Sequence, residues 1–144
     1  MRYLDTSLVV AALTREARSP EAAEWLAIQP VGSVVISDWV ITEFSAALSL
    51  KVRTGQLQAS ERWAALTTFD RFTEEALEVL PVSRRSFITA AAFANRPDVA
   101  VRAGDVLHLA LAAEHGAEII TLDRRLAASG QLVGVRTSML DAVL

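Results

Sequence analysis

Short β-branched runs alternate along the whole chain with longer alanine- and leucine-rich stretches of helical period. This alternation restricts the fold more than any other property of the sequence. Arg2–Leu4, Ser33–Ile36, Glu78–Val82, Glu118–Leu122 and Leu132–Val135 are predicted strands. Ser7–Thr14, Glu21–Ile28, Asp38–Thr54, Ala59–Thr73, Ser83–Asn95, Asp105–His115 and Arg124–Ala128 are predicted helices, punctuated by Pro20, Gly55, Gly116 and Gly130. Strands that alternate with helices require crossover connections, hence a parallel sheet covered on both faces. The expected fold class is α/β, a three-layer α/β/α domain with about five central parallel strands.

At 144 residues there is room for one sizeable core, and no repeat or Pro/Gly/Ser-rich linker divides the chain, so residues 1–144 are expected to form one domain. Hydrophobic residues at 52% and charged residues at 22% exclude an intrinsically disordered chain. With no cysteine, disulfides, thiolate catalysis and cysteine-ligated zinc or iron–sulfur sites are excluded. The opening Met1-Arg2-Tyr3-Leu4-Asp5 carries an acid and no apolar stretch, which is not the pattern of a signal peptide. No apolar run approaches the roughly 20 residues of a membrane span. A cytoplasmic location and no membrane partner are expected.

A net charge of −3 argues at first against a nucleic-acid partner, whose phosphates attract basic groups. Two details weaken the objection. Lys51 is the only lysine, and arginine's planar fork suits bidentate phosphate contacts. Two divalent cations held by clustered acids would also bring −3 to +1.

Ligands of open parallel sheets bind beyond the carboxyl ends of the strands, so acids just after strands and at the starts of the following helices matter most. Four meet that condition. Asp5 follows the first strand and Asp123 the fourth, Asp105 opens a helix after Gly104, and Glu43 lies early in the helix after the second strand. Taken singly, each Asp is as readily an N-cap accepting a backbone N–H. Glu43 shares its helical face with Trp39, Ala46, Ala47 and Leu50, and Asp105 sits above His108, Leu109 and Ala112, so both project from apolar surroundings. Desolvated carboxylates held together are costly unless a cation compensates them. Oxygen donors without cysteine or clustered histidine select Mg²⁺ or Mn²⁺ rather than zinc. Such a cation completes its shell with phosphate oxygens and activates water, which makes phosphodiester hydrolysis the leading reaction.

At these residues the chain resembles the PIN-domain ribonucleases, and among them the VapC-type toxins of bacterial toxin–antitoxin pairs. Tyr3-Leu4-Asp5-Thr6-Ser7, Thr42-Glu43-Phe44, Gly104-Asp105-Val106-Leu107-His108-Leu109-Ala110 and Thr121-Leu122-Asp123-Arg124-Arg125-Leu126 are similar to the family's four motifs, in order and over nearly the whole chain. The resemblance implies a PIN-like fold in which Asp5, Glu43, Asp105 and Asp123 bind Mg²⁺ and cut single-stranded or looped RNA. It further implies Thr6 and Thr121 as supporting hydroxyls, a homodimer, and inhibition by a cognate VapB-type antitoxin.

Other residues invite a role. His108, one turn after Asp105, is expected to be a packed or hydrogen-bonded structural histidine rather than a base, since metal-activated water needs no imidazole. Arg124 is the favoured RNA contact among Arg84, Arg85, Arg102, Arg124 and Arg125. Trp25, Trp39 and Trp63 are expected in the core or a subunit interface rather than stacked on bases. Ser7 joins the threonines as a candidate to orient carboxylates or caps. Two rival functions are weighed: an aspartyl-phosphate phosphatase or phosphotransferase with Asp5 as nucleophile, and a non-catalytic partner-binding module. The first calls for a second Asp two residues after Asp5, where Ser7 stands.

Overall fold

The computed structural model describes residues 1–143. Five parallel strands, β1 (Arg2–Leu4), β2 (Val34–Ser37), β3 (Glu78–Leu80), β4 (Glu118–Thr121) and β5 (Thr137–Met139), form one sheet in the order β3-β2-β1-β4-β5. Seven helices connect and cover them: α1 (Thr6–Leu13), α2 (Ser19–Ala27), α3 (Asp38–Arg53), α4 (Ala59–Ala76), α5 (Arg84–Ala94), α6 (Ala103–His115) and α7 (Arg124–Leu132). A short 3-10 turn, Leu140–Ala142, follows β5. Among the described residues no helix is long and apolar enough to cross a membrane.

The central strands are buried from both sides. Leu4, Val35, Ile36, Ile119 and Ile120 expose nothing, as a parallel sheet between helical layers requires. On one side of this core α1 packs against α2 and α3, and α3 against α4; α5 and α6 pack against each other. The chain builds β1, β2 and β3 outward in one direction, then returns to place β4 on the other flank of β1. That reversal makes the carboxyl ends of β1 and β4 the switch point of the sheet, where a crevice opens.

Several predicted boundaries need correction. The fifth strand lies at Thr137–Met139, not Leu132–Val135, because α7 continues to Leu132 and Gly134 turns the chain at φ 74°. Gly130 extends α7 instead of ending it: a Cβ there would lie 2.2 Å from a Thr137 side-chain carbon, so its bareness lets the helix lie against β5. Pro20 likewise sits in the first turn of α2, where its missing N–H costs nothing, rather than ahead of the helix.

Candidate functional site

Four carboxylates from four segments face one cleft at the switch point. Asp5, Glu43, Asp105 and Asp123 line a cavity of about 450 Å³, together with Thr6, Ser7, His108 and Arg53. Asp5 is the residue between β1 and α1, and Asp123 the one between Leu122 and α7; both are N-caps. Glu43 is in the second turn of α3. Asp105 is the third residue of α6, which starts at Ala103 and not at Asp105 as the sequence suggested.

The alternative of cap or cleft acid therefore dissolves, because a carboxylate has two oxygens. Asp123 accepts from the Arg125 and Leu126 amides through Oδ1, at 2.7 and 3.2 Å, and spends nothing on Oδ2. Asp105 accepts from the Arg102 amide through Oδ2 at 3.0 Å, leaving Oδ1 unspent. Glu43 uses Oε2 for both Thr6 Oγ1 and His108 Nε2, leaving Oε1. Asp5, the one fully buried acid, is the most engaged. Its Oδ1 accepts from the Leu8 amide at 3.3 Å, its Oδ2 from Thr121 Oγ1 at 2.8 Å, and Ser7 Oγ lies within 2.9 Å of both.

The hydroxyls tie the acids together. Thr121 Oγ1 donates to Asp5 and accepts from the Asp123 amide at 2.8 Å, so the end of β4 is locked to the end of β1. Ser7 Oγ repeats the arrangement by accepting from the Leu122 amide at 3.1 Å. Behind Glu43 runs a buried chain. The Val40 amide donates to Ser37 Oγ at 3.4 Å, which leaves the Ser37 O–H for Tyr3 Oη at 2.7 Å. Tyr3 Oη in turn lies 2.7 Å from His108 Nδ1, and His108 Nε2–H completes the chain at Glu43 Oε2, also 2.7 Å. Burial pushes the Tyr3 phenol far above its usual range, so it stays an O–H donor.

Electrostatics separate the acids. Burial pushes the Asp5 carboxyl up, against the attraction of the nearby His108 ring and hydrogen bonds from Thr121, Ser7 and the Leu8 amide. Burial also raises Asp105, assisted by the charges of Asp123 and Glu43 and opposed by the Arg102 amide. For Glu43 burial pulls upward too, but the hydrogen bond and attraction of His108, with a hydrogen bond from Thr6 and the nearby Trp39 indole N–H, prevail and hold it below the ordinary range. The apolar stripe that carries Glu43 has a different setting from the one expected: Val40, Phe44 and Leu48 form the core face of α3, while Ala46, Ala47 and Leu50 form the cleft wall.

Among the described residues no group of three His, Asp or Glu side chains already stands close enough to grip an ion. The donor set nevertheless fits a hard cation. It consists of carboxylates, with one unspent oxygen each on Glu43, Asp105 and Asp123, in a cleft without sulfur ligands.

Several residues here escaped the sequence reading. Arg53, at the end of α3, reaches the acid cleft, which helical period from Glu43 through Ala46 and Leu50 could have indicated. Tyr3 and Ser37 gave no signal, because a strand tyrosine and a serine before a helix are ordinary. Gly104 leaves the space that Glu43 occupies: a Cβ would stand 2.8 Å from Glu43 Oε1. Of the tryptophans, Trp25 is in the core, Trp39 is half-buried beside Gly104, and Trp63 is 70% exposed on α4.

The PIN domain family model matches residues 2–130. The chain belongs to the PIN domain family. Solved structures of the same fold include VapC20 from Mycobacterium tuberculosis, titled a sarcin-ricin loop cleaving toxin, at TM-score 0.71 and 21% identity over 90% of this chain and 95% of that one. VapBC2 from Rickettsia felis, bound to a promoter DNA fragment, aligns at TM-score 0.68 and 17% identity over 96% and 98%. FitAcB from Neisseria gonorrhoeae aligns at 0.69 and 17% over 95% and 96%. No curated protein matches this PIN domain in sequence.

Proposed function

We propose that this PIN-domain protein is a VapC-like toxin, a Mg²⁺-dependent endoribonuclease restrained by a cognate VapB-type antitoxin. The observation that carries the reading is the convergence of Asp5, Glu43, Asp105 and Asp123 on one cleft at the switch point of the sheet. A divalent cation, Mg²⁺ or Mn²⁺, held by these four acids supplies Lewis acidity to a phosphodiester and makes water a stronger acid. The chain's own residues prepare the cleft for it. Thr121 and Ser7 fix Asp5, Thr6 and His108 fix Glu43, and the backbone amides of α6 and α7 fix Asp105 and Asp123 by one oxygen each. Arg124, directly after Asp123 and exposed, offers a guanidinium to substrate phosphate.

The aspartyl-phosphate alternative finds no support, because the second Asp that it calls for two residues after Asp5 is Ser7, whose hydroxyl donates to the Asp5 carboxylate. For a homodimer, Phe87 and Ile88 on α5 are 56% and 62% exposed, an apolar pair that a partner subunit would cover. Antitoxin complexes among proteins of this fold support the VapB-type partner, and the absence of cysteine accords with a cytoplasmic site of action. Induction of the gene in bacteria tests the reading. Growth arrest with new RNA ends at defined sites, relieved by the neighbouring antitoxin gene, is expected. Arrest that persists undiminished in Asp5→Asn would refute it.

A further inference from the structure

The cleft of four acids, with Arg53 as the one cationic side chain in its lining among the described residues, repels a phosphate strand unless a metal ion sits there, so a bound polynucleotide leaves along a more positive surface. Six of the 14 cationic side chains are spent elsewhere. Arg15, Arg18, Arg96 and Lys51 pair with carboxylates, and Arg2 and Arg136 bond to Gln29 and the Gly116 carbonyl. Arg102, Arg124 and Arg125 have no carboxylate within salt-bridge distance among the described residues. All three line a single cleft of about 800 Å³, larger than the acid cleft and continuous with it through Ser7, Asp105 and Asp123. Three free guanidinium groups thus gather on the flank of the acids in a protein whose net charge is −3.

The rest of the lining limits what this cleft can recognise. Its apolar members are Ala100, Val101 and Leu122, and it contains no aromatic ring on which a base could stack. The amides at the start of α7 are already taken by Asp123, so the attraction for an anion comes from the guanidinium groups themselves. Arginine forks bind phosphate oxygens without reading the base they belong to.

We propose that the Arg102, Arg124 and Arg125 cleft is a phosphate-binding subsite that grips single-stranded RNA beside the cut without base preference. It rests on the nuclease reading for its substrate and extends it by assigning the path of the strand. An acidic peptide is the rival occupant of these guanidinium groups, and competition by poly-glutamate separates the two.

The test uses the full chain with Asp5→Asn to keep RNA intact, and two labelled 12-nucleotide RNAs of unrelated sequence in anisotropy titrations. Adding Arg102→Gln, Arg124→Gln and Arg125→Gln is expected to weaken binding of both RNAs alike, at least tenfold at low salt. The slope of log Kd against log salt is expected to fall by about 2, from about 0.7 per phosphate contact on a single strand. Arg84→Gln with Arg85→Gln, on α5 outside either cleft, is the control expected to change neither. Phenylglyoxal modification of the wild-type protein, mapped by mass spectrometry, needs no variant: RNA should protect Arg102, Arg124 and Arg125 but not Arg84 or Arg85. Unchanged affinity and slope, loss for one RNA only, no protection, or competition by poly-glutamate as strong as by RNA of equal charge would each overturn the subsite. If the subsite variants lose RNA while the wild type fails to cut RNA with Mg²⁺, the subsite stands and the nuclease reading falls.

Discussion

Tyr3→Phe removes one oxygen atom from the core, and the structure makes it a severe change. Tyr3 Oη lies between two buried groups, hydrogen-bonded at 2.7 Å to both Ser37 Oγ and His108 Nδ1. Without it, Nδ1 of the buried His108 ring is left with no hydrogen-bond partner, while Nε2 stays with Glu43. An unsatisfied buried polar group costs about 1–3 kcal/mol, and the lost Ser37 bond adds about 1 kcal/mol. The total of about 2–4 kcal/mol corresponds to a fall in Tm of roughly 4–16 °C for a chain of this size. Two assays check it, thermal melting by circular dichroism and titration with Mn²⁺. Melting should show the fall, and Mn²⁺ affinity should weaken because the His108 ring that orients Glu43 is no longer held. Ser37→Ala in the Tyr3→Phe background should cost less than Ser37→Ala alone, since its partner is already gone. A Tm within 2 °C of wild type, together with unchanged Mn²⁺ affinity, would refute the relay.

Other perturbations separate structure from chemistry at single residues. Asp123→Asn keeps the Oδ1 cap and should melt near wild type, whereas Asp123→Ala should lose about 0.5–2 kcal/mol; in both, the rise in Tm on adding Mg²⁺ should shrink, and an unchanged rise would make Asp123 a cap alone. Burial raises Asp5 above its unfolded value, so its ionisation costs stability, and the cost grows as pH climbs from the ordinary aspartate range through the raised value. Without metal, Asp5→Asn should therefore gain on wild type between acid and neutral pH in urea unfolding, and a constant difference would remove the argument. Glu43, held low, contributes in the opposite sense: its stabilisation is present above the ordinary glutamate range and fades as pH falls through its lowered value. Gly104→Ala should change Tm little, because alanine's helix preference, at most about 1 kcal/mol in a helix interior, is opposed by the 3.3 Å approach of its Cβ to the Trp39 indole. Cleavage should nevertheless drop, since the new Cβ would displace Glu43 Oε1 from 2.8 Å away.

The sheet and the acids were legible in the sequence for one reason. Parallel strands buried on both faces need continuous apolar runs, and Val34-Val35-Ile36 and Ile119-Ile120 supply them. An acid that follows a strand stands at the carboxyl edge, so Asp123 is placed by the Ile119-Ile120 run before it and Asp5 by the short Arg2-Tyr3-Leu4 strand. The fifth strand was not legible because it is an edge strand: Thr137-Ser138-Met139 is only half-buried and its alternation is short, while Leu132 and Val133 offered a more apolar decoy. The relay behind Glu43 was hidden for a different reason. Tyr3, Ser37 and His108 are far apart in sequence, and each alone has an ordinary explanation; only the pairing of β1 with β2 and the packing of α6 make them neighbours. The arginine cleft lay between these extremes, with Arg124 evident beside Asp123 and Arg102 brought to it only by the fold.

The central claim is that the four acids hold a divalent cation with which the protein cuts RNA. The most direct measurement is single-turnover cleavage of an end-labelled, structured RNA by metal-stripped wild type and Asp5→Asn, each with EDTA, Mg²⁺ or Mn²⁺. Wild type should cut only when Mg²⁺ or Mn²⁺ is added, and Asp5→Asn should be slower by at least a hundredfold under the same conditions. Cleavage by wild type that survives EDTA, or cleavage by Asp5→Asn at the wild-type rate, would contradict the account.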